Sequence, residues 1–316
     1  MDVVTIGETM ALFTPETTGM MRYAKNFTMK FGGAESNVAI GLSRLGHQVG
    51  WISRVGNDEF GKGILSYLRG EGIDTSRVKI DSESSTGIYF KEPRRQDDFR
   101  IYYYRKNSAA SKLNKYDLDE HYISQAKYLH LTGITPALSE GCYEMIMEAI
   151  NIAKRHHVKI VFDPNLRTKL WNGETARKAL LFIASKADII LPGIDEAHFI
   201  FGEDNYKELG KKFLELGASI VVLKLGAKGA YYFTQHDSAI VPGYHVDHVV
   251  DPVGAGDGFA AGFLSGMLNG LPIKCSVERA NAVGSLVTRV EGDVEGLPEM
   301  EEINAFINNG FIDVVR

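Results

Sequence analysis

Asp251-Pro252-Val253-Gly254-Ala255-Gly256-Asp257-Gly258-Phe259 is the stretch from which the rest of this chain can be read. Two glycines, Gly254 and Gly256, precede a carboxylate. An apolar pattern of helical spacing then begins at once with Phe259, Ala260, Phe263, Leu264, Met267 and Leu268. Glycines let successive backbone N–H groups turn toward one point, and a helix N-terminus adds a partial positive charge there. Gly254, Ala255 and Gly256 therefore form a candidate anion hole. Asp257 at its centre is placed to take a proton from an attacking hydroxyl. The chemistry this implies is phosphoryl transfer to an alcohol.

Composition narrows the setting. A chain of 316 residues, 44% hydrophobic and 24% charged, suits an ordinary globular protein with one large α/β core or two unequal domains. The net charge of −5 and the lack of any long Lys/Arg block argue against a nucleic-acid partner. No uninterrupted apolar run approaches the ~20 residues that span a bilayer. The N-terminus has no charged and apolar leader pattern, so no membrane partner and a cytoplasmic location are expected. Cys142 and Cys275 are isolated within apolar helical surroundings and read as buried thiols, without disulfide or zinc spacing.

Upstream of the opening stretch the chain has two textures. From about residue 114 onward, strands predicted at 127–132, 158–163, 187–191, 219–224 and 229–233 alternate with helices at 139–156, 174–186, 195–201, 205–217, 255–269 and 276–291. Units of about 30 residues imply right-handed crossovers and a mostly parallel sheet covered on both faces, that is, a doubly wound α/β body. Val3–Glu8 reads as its opening strand, and helices follow from Ser36 to Gly46 and from Phe60 to Gly72. By contrast, residues 10–34 and 84–107 alternate apolar and polar positions as half-exposed strands do. They predict a small β-sheet lid on a single domain spanning 1–316, its second hairpin tipped by the charged run Glu92–Asp98. An open parallel sheet holds ligands at the carboxyl ends of its strands. The turns after Asp163 and Lys224 and the Gly254–Asp257 run all fall there.

Two motifs carry a family resemblance: Gly32-Gly33-Ala34-Glu35-Ser36-Asn37-Val38-Ala39 near the start and the Asp251–Phe259 run near the end. With them the chain resembles, over essentially its whole length, the ribokinase-like (PfkB) carbohydrate kinases. Within that family it is most similar to 2-keto-3-deoxygluconate kinases. The cue is Arg100-Ile101-Tyr102-Tyr103-Tyr104-Arg105, where strand alternation puts Tyr103 and Arg105 on one face and Tyr102 and Tyr104 on the other. The planar fork of an Arg suits a carboxylate and a Tyr supplies a flat wall with a hydroxyl. A sugar acid would need that pair; a neutral sugar would not.

The resemblance implies ATP-dependent phosphorylation of a sugar acid's primary hydroxyl, with Mg2+, as in the Entner–Doudoroff pathway. It assigns Asp257 as the base and Gly33, Asn37, Tyr89, Tyr103, Arg105, Arg167 and Asp293 to the substrate. Asn165, Gly193, Lys224, Gly226, Gly229 and Asn281 go to ATP together with Gly254 and Gly256, and Glu196 goes to the metal through water. One departure is visible: where the family typically has Asn-x-x-Glu, this chain has Gly193-Ile194-Asp195-Glu196. A kinase of fructose or ribose is the nearest alternative, and a non-catalytic sugar-binding regulator a more distant one. A nicotinamide dehydrogenase fails because no G-x-G-x-x-G follows the opening strand. The aromatic side of the lid, with Phe90, Tyr102 and Tyr104, predicts self-association through the lid into a dimer or a higher assembly.

Overall fold

The computed structural model describes residues 1–95, 98–202 and 205–309. Its strands, in chain order, are β1 (Val3–Ile6), β2 (Met10–Pro15), β3 (Phe27–Gly32), β4 (Val49–Gly56), β5 (Val78–Asp81), β6 (Ile88–Arg95) and β7 (Asp98–Tyr104). Then come β8 (Tyr128–Thr132), β9 (Lys159–Asp163), β10 (Ile189–Ile190), β11 (Ile220–Lys224), β12 (Ala230–Phe233) and β13 (Ser238–Val241). The first helices are α1 (Ala34–Arg44), α2 (Glu59–Gly70), α3 (Glu120–Ser124), α4 (Thr135–Leu138), α5 (Glu140–Arg155) and α6 (Gly173–Ala184). The remainder are α7 (Ile194–Phe201), α8 (Tyr206–Glu215), α9 (Ala255–Leu268), α10 (Ile273–Val287) and α11 (Met300–Asn309).

Nine strands form the large sheet in the order β13-β12-β11-β10-β9-β8-β1-β4-β5. Every pair from β11 to β5 is parallel, and β12 and β13 close one edge antiparallel. Burial on both faces explains the apolar runs in these strands. Val3, Trp51, Val161 and Val222 face one core with Val38, Phe263 and Val283 from α1, α9 and α10. Val4, Ile52, Phe162 and Val221 face the other with Met145, Leu180 and Phe213 from α5, α6 and α8. The doubly wound reading of the sequence holds. The helix expected at 276–291 is displaced: α10 starts at Ile273, just after Pro272, and ends at Val287. β5, β13 and α11, each short or terminal, lie outside the expected elements.

The small sheet has the order β3-β2-β6-β7, with β2 and β6 parallel and the outer pairs antiparallel. Its hairpin strands run into the segment expected as a charged tip, and the tip's Gln96 and Asp97 lie outside the described residues. Lys91 and Glu92 are buried rather than solvated. Glu92 accepts hydrogen bonds from the Met21 N–H (2.7 Å) and the Tyr102 hydroxyl (3.0 Å), which offsets the loss of water. Cys142 is buried, and burial pushes its thiol up to about 11. Cys275 is only half-buried, because it sits in the first turn of α10.

Glycine also shapes the packing that supports the opening stretch. Gly258, Gly262 and Gly266 recur every four residues along α9 and therefore share a face. A methyl group on them would come within 2.8 Å of Val287, 2.9 Å of the Ala280 Cα and 2.6 Å of Ser276, respectively. At Gly262 and Gly266 α9 approaches the backbone of α10, and at Gly258 it meets the side chains of Val283 and Val287. Gly262→Val should consequently destabilise the fold by ~1–3 kcal/mol or more, since backbone rather than a flexible side chain has to move. A urea unfolding midpoint equal to that of the unsubstituted protein would contradict this close packing.

Candidate active site

Strand ends of the large sheet meet the small sheet around a cavity of about 640 Å³, within the usual range for a small-molecule site. Gly254 occupies the left-handed region (φ +79°), and a methyl group there would lie 2.2 Å from the Asp293 carbonyl oxygen. Both facts demand glycine. The turn delivers the chain into α9 with its first amides at the cavity. Ala255 N–H turns back toward the Pro252 carbonyl (3.4 Å), so this expected donor is partly spent. The amides of Gly256 and Asp257 have no backbone acceptor among the described residues. They stand open at the positive end of the helix.

The Asp257 carboxylate accepts a hydrogen bond from Asn37 Nδ2 (2.8 Å), and Asn37 Oδ1 in turn accepts the Gly33 N–H (3.3 Å). Asn37 thus orients the acid directly. Burial raises the Asp257 carboxyl to about 7, with Asp163 and Asp293 adding to the rise and Asn37 and Arg167 opposing it. Asp163, at the end of β9, accepts Lys224 Nζ (2.6 Å) and the Asn165 N–H (3.2 Å). Desolvation would depress the Lys224 ammonium. The charges of Asp163, Glu196 and Asp257 overcome it and hold the group above its ordinary value.

On the other side of the cavity Tyr89 and Tyr103 are register partners and stack with ring centroids 5.7 Å apart. The Tyr89 hydroxyl donates to Asp293 Oδ2 (2.7 Å), while buried Asp293 Oδ1 has no partner among the described residues. Arg105 lines the cavity, yet it is only 8% exposed and its charge is taken up by Glu8, through Nε (2.7 Å) and Nη2 (2.5 Å). It is therefore no longer the free fork inferred from strand alternation. Arg167 is exposed, lines the same cavity and makes no ion pair among the described residues.

Most of the residues singled out in the sequence converge here: Gly33, Asn37, Tyr89, Tyr103, Arg105, Asn165, Arg167, Gly193, Lys224, Gly226, Gly254, Gly256, Asp257 and Asp293, with Glu196, all line the cavity. Two residues assigned to ATP do not. The Asn281 amide is spent on the carbonyls of Val241 and Pro242, both 3.1 Å away. Gly229 (φ +96°) packs against the end of β13, where a methyl group would meet the Val241 carbonyl at 2.1 Å. Each has a packing role here, and neither is brought to the cavity lining. Gly193 caps α7, and its N–H donates to Glu196 Oε2 (2.8 Å); Glu196 Oε1 accepts the Leu166 N–H (2.9 Å). With both oxygens engaged, Glu196 suits water-mediated better than direct contact to a cation. No set of three or more His, Cys, Asp or Glu among the described residues is arranged to ligate a metal directly. The acids Asp163, Glu196 and Asp257 nevertheless share one cavity, which fits a hydrated magnesium ion.

Sequence reasoning passed over Glu8, Glu35 and the acceptor role of Asp163. Glu35 is fully buried and accepts the hydroxyls of Thr132 (2.6 Å) and Thr135 (2.8 Å). Glu8 and Asp163 carried a usable signal, since each is an acid at the carboxyl end of a parallel strand. Glu35 carried none, because its partners come from β8 and α4, about 100 residues away.

A profile described as pfkB family carbohydrate kinase matches residues 1–300. A Bacillus subtilis protein named 2-dehydro-3-deoxygluconokinase is 42% identical over 98% of this chain and 96% of its own length. A Thermoproteus tenax protein of the same name is 38% identical over 95% and 92%. A solved structure described as a putative ribokinase II from E. coli in complex with ATP and Mg2+ superposes with a TM-score of 0.90. It is 28% identical over 97% of this chain and 98% of its own. No helix among the described residues is long and apolar enough to cross a membrane. With its two-sheet α/β architecture, its glycine turn at the head of α9 and these full-length likenesses, the chain belongs to the PfkB family and is a carbohydrate kinase.

Proposed function

We propose that this kinase transfers the γ-phosphoryl group of ATP to the primary hydroxyl of a keto-deoxy sugar acid, 2-keto-3-deoxygluconate before others, giving the 6-phosphate. The observation that carries this is a cavity holding an oriented acid, Asp257, two open amides and a cation, Arg167, that makes no ion pair among the described residues. The two relatives named 2-dehydro-3-deoxygluconokinase support the same substrate class. That product belongs to the Entner–Doudoroff route, and the cytoplasm, where ATP is abundant, is its natural setting.

Asp257 removes the hydroxyl proton while Asn37 keeps its carboxylate on line for attack. The amides of Gly256 and Asp257, backed by the α9 dipole, stabilise negative charge developing on the transferred group. Arg167 binds the sugar carboxylate, Tyr103 walls the ring, and Gly33 and Asp293 border the hydroxyls. Arg105, neutralised by Glu8, supports Tyr103 from 5.6 Å rather than pairing with substrate. Lys224, Gly226, Gly193 and Asn165 border the nucleotide side. Asp163 and Glu196 would hold magnesium through its waters, and when bound that ion neutralises charge on the terminal phosphates. The small sheet acts as a lid that excludes water, favouring sugar over hydrolysis.

The lid's outer face carries Phe27, Tyr102 and Tyr104, which are 36%, 37% and 62% exposed beside Phe90. Such an aromatic face favours pairing of two lids in a homo-oligomer. Light scattering that returned the mass of a monomer at micromolar concentration would remove this assembly.

Asp257→Asn should bind substrates and lose turnover by ~10² or more. Because the carboxylate has to be ionised to accept a proton, and its pKa is about 7, wild-type kcat/KM should fall as pH drops below neutrality and level off above it. Near-normal turnover in the variant would refute the base assignment. In a coupled ADP-release assay, 2-keto-3-deoxygluconate should outperform fructose and ribose. Arg167→Ala should raise KM for the acid by ~10-fold or more, on the scale of one lost charge-assisted contact. An equal effect on a neutral sugar would show that Arg167 does not read the carboxylate.

A further inference from the structure

Two side chains on the inner face of β6 end on acids of the large-sheet body. Tyr89 donates to Asp293, and two residues along the same strand Lys91 donates to Asp251. The side chains of Lys91 and Asp251 are 4% and 0% exposed. Asp251 does more than balance charge. Its Oδ1 accepts the Val253 N–H (3.1 Å) and its Oδ2 accepts the Gly292 N–H (3.1 Å). Those amides lie on the two segments that make the anion turn. One runs from Asp251 into α9; the other carries Asp293, whose carbonyl packs against Gly254. Lys91 itself is not part of the cavity lining, and its ammonium lies 4.9 Å over the Phe99 ring.

We propose that Lys91 is a positioning residue, a tethered cation brought by the small sheet that holds Asp251 across the base of the Gly254–Asp257 turn. The amides of Gly256 and Asp257 are then correctly aimed only while β6 is seated. The physical reason lies in the unpaired state. A buried carboxylate that has lost its paired cation is strongly disfavoured, and it moves toward water or a new partner. Because Asp251 grips Val253 and Gly292, the turn moves with it. A buried ion pair is weak evidence of stability by itself, since an apolar pair of the same volume often serves as well. What an apolar pair lacks is this directional hold on two backbone donors.

The proposal rests on the assignment of the Gly254–Asp257 turn as the anion hole, so the test includes a variant of that turn. The full-length wild type, Asp257→Asn, Lys91→Met and the double variant Lys91→Met/Asp251→Asn are compared in steady-state kinetics and thermal melting. Lys91→Met should lower kcat by ~10-fold or more, the lower end of what a displaced oxyanion donor costs, with both KM values within about threefold of wild type. The double variant leaves no buried charge unpaired. It should melt near the wild type and still show the kcat loss, which keeps the test decisive if the single variant folds poorly. A kcat within about twofold of wild type in either folded variant overturns the positioning role, as does a loss confined to KM. If Asp257→Asn also turns over normally, the base assignment has failed and with it the reading of this turn as the reacting site; if Asp257→Asn is inactive and Lys91→Met is unimpaired, only the role of Lys91 has.

Discussion

The contact on which this molecule turns is between the left-handed backbone of Gly254 and the carbonyl of Asp293. It brings two distant segments together with no room for a side chain. One consequence is the emergence of α9 with two amides open toward the cavity. Another is the approach of Asp293 to the small sheet, where Tyr89 meets it. Glycine is the only residue that satisfies the dihedral and the approach together, so one backbone position fixes the place of the acid, the donors and the second sheet.

Around that contact the site is a balance of charges withheld from water. Asp163, Glu196, Asp257 and Asp293 crowd one region, and the carboxyls of Glu196, Asp257 and Asp293 are all raised, with burial the leading cause. Lys224 offsets part of this from beneath and Arg167 from the rim. Glu8 and Arg105 cancel each other in the wall. The result separates tasks by environment: paired charges build the cavity, and the few left unsatisfied are available to ligands.

Much of this was legible before any coordinates. The apolar runs of a sheet buried on both faces gave the layered body, and strand alternation put Tyr89 with Tyr103 because the period of two is rigid once the register is set. Partnership was not legible. Arg105 looked free because alternation reports the side of a strand and says nothing of Glu8, nearly a hundred residues earlier. Asn281 and Gly229 carry residue types that suit a ligand as well as a backbone carbonyl or a tight turn, and only packing decides between those uses. Lys91 was hidden for a different reason: a lysine in a hairpin ordinarily reaches solvent, and its buried acid comes from a loop 160 residues away.

The stripe of Gly258, Gly262 and Gly266 bears on more than stability. Where Gly262 and Gly266 meet the backbone of Ala280 and Ser276, α9 and α10 approach too closely to slide, so the pair behaves as one body. The open amides sit at the tip of that body and, with β6 seated, keep their direction while the cavity is empty. An anion arriving there meets donors whose conformational entropy was surrendered when the chain folded, and little of its binding energy is spent on arranging them.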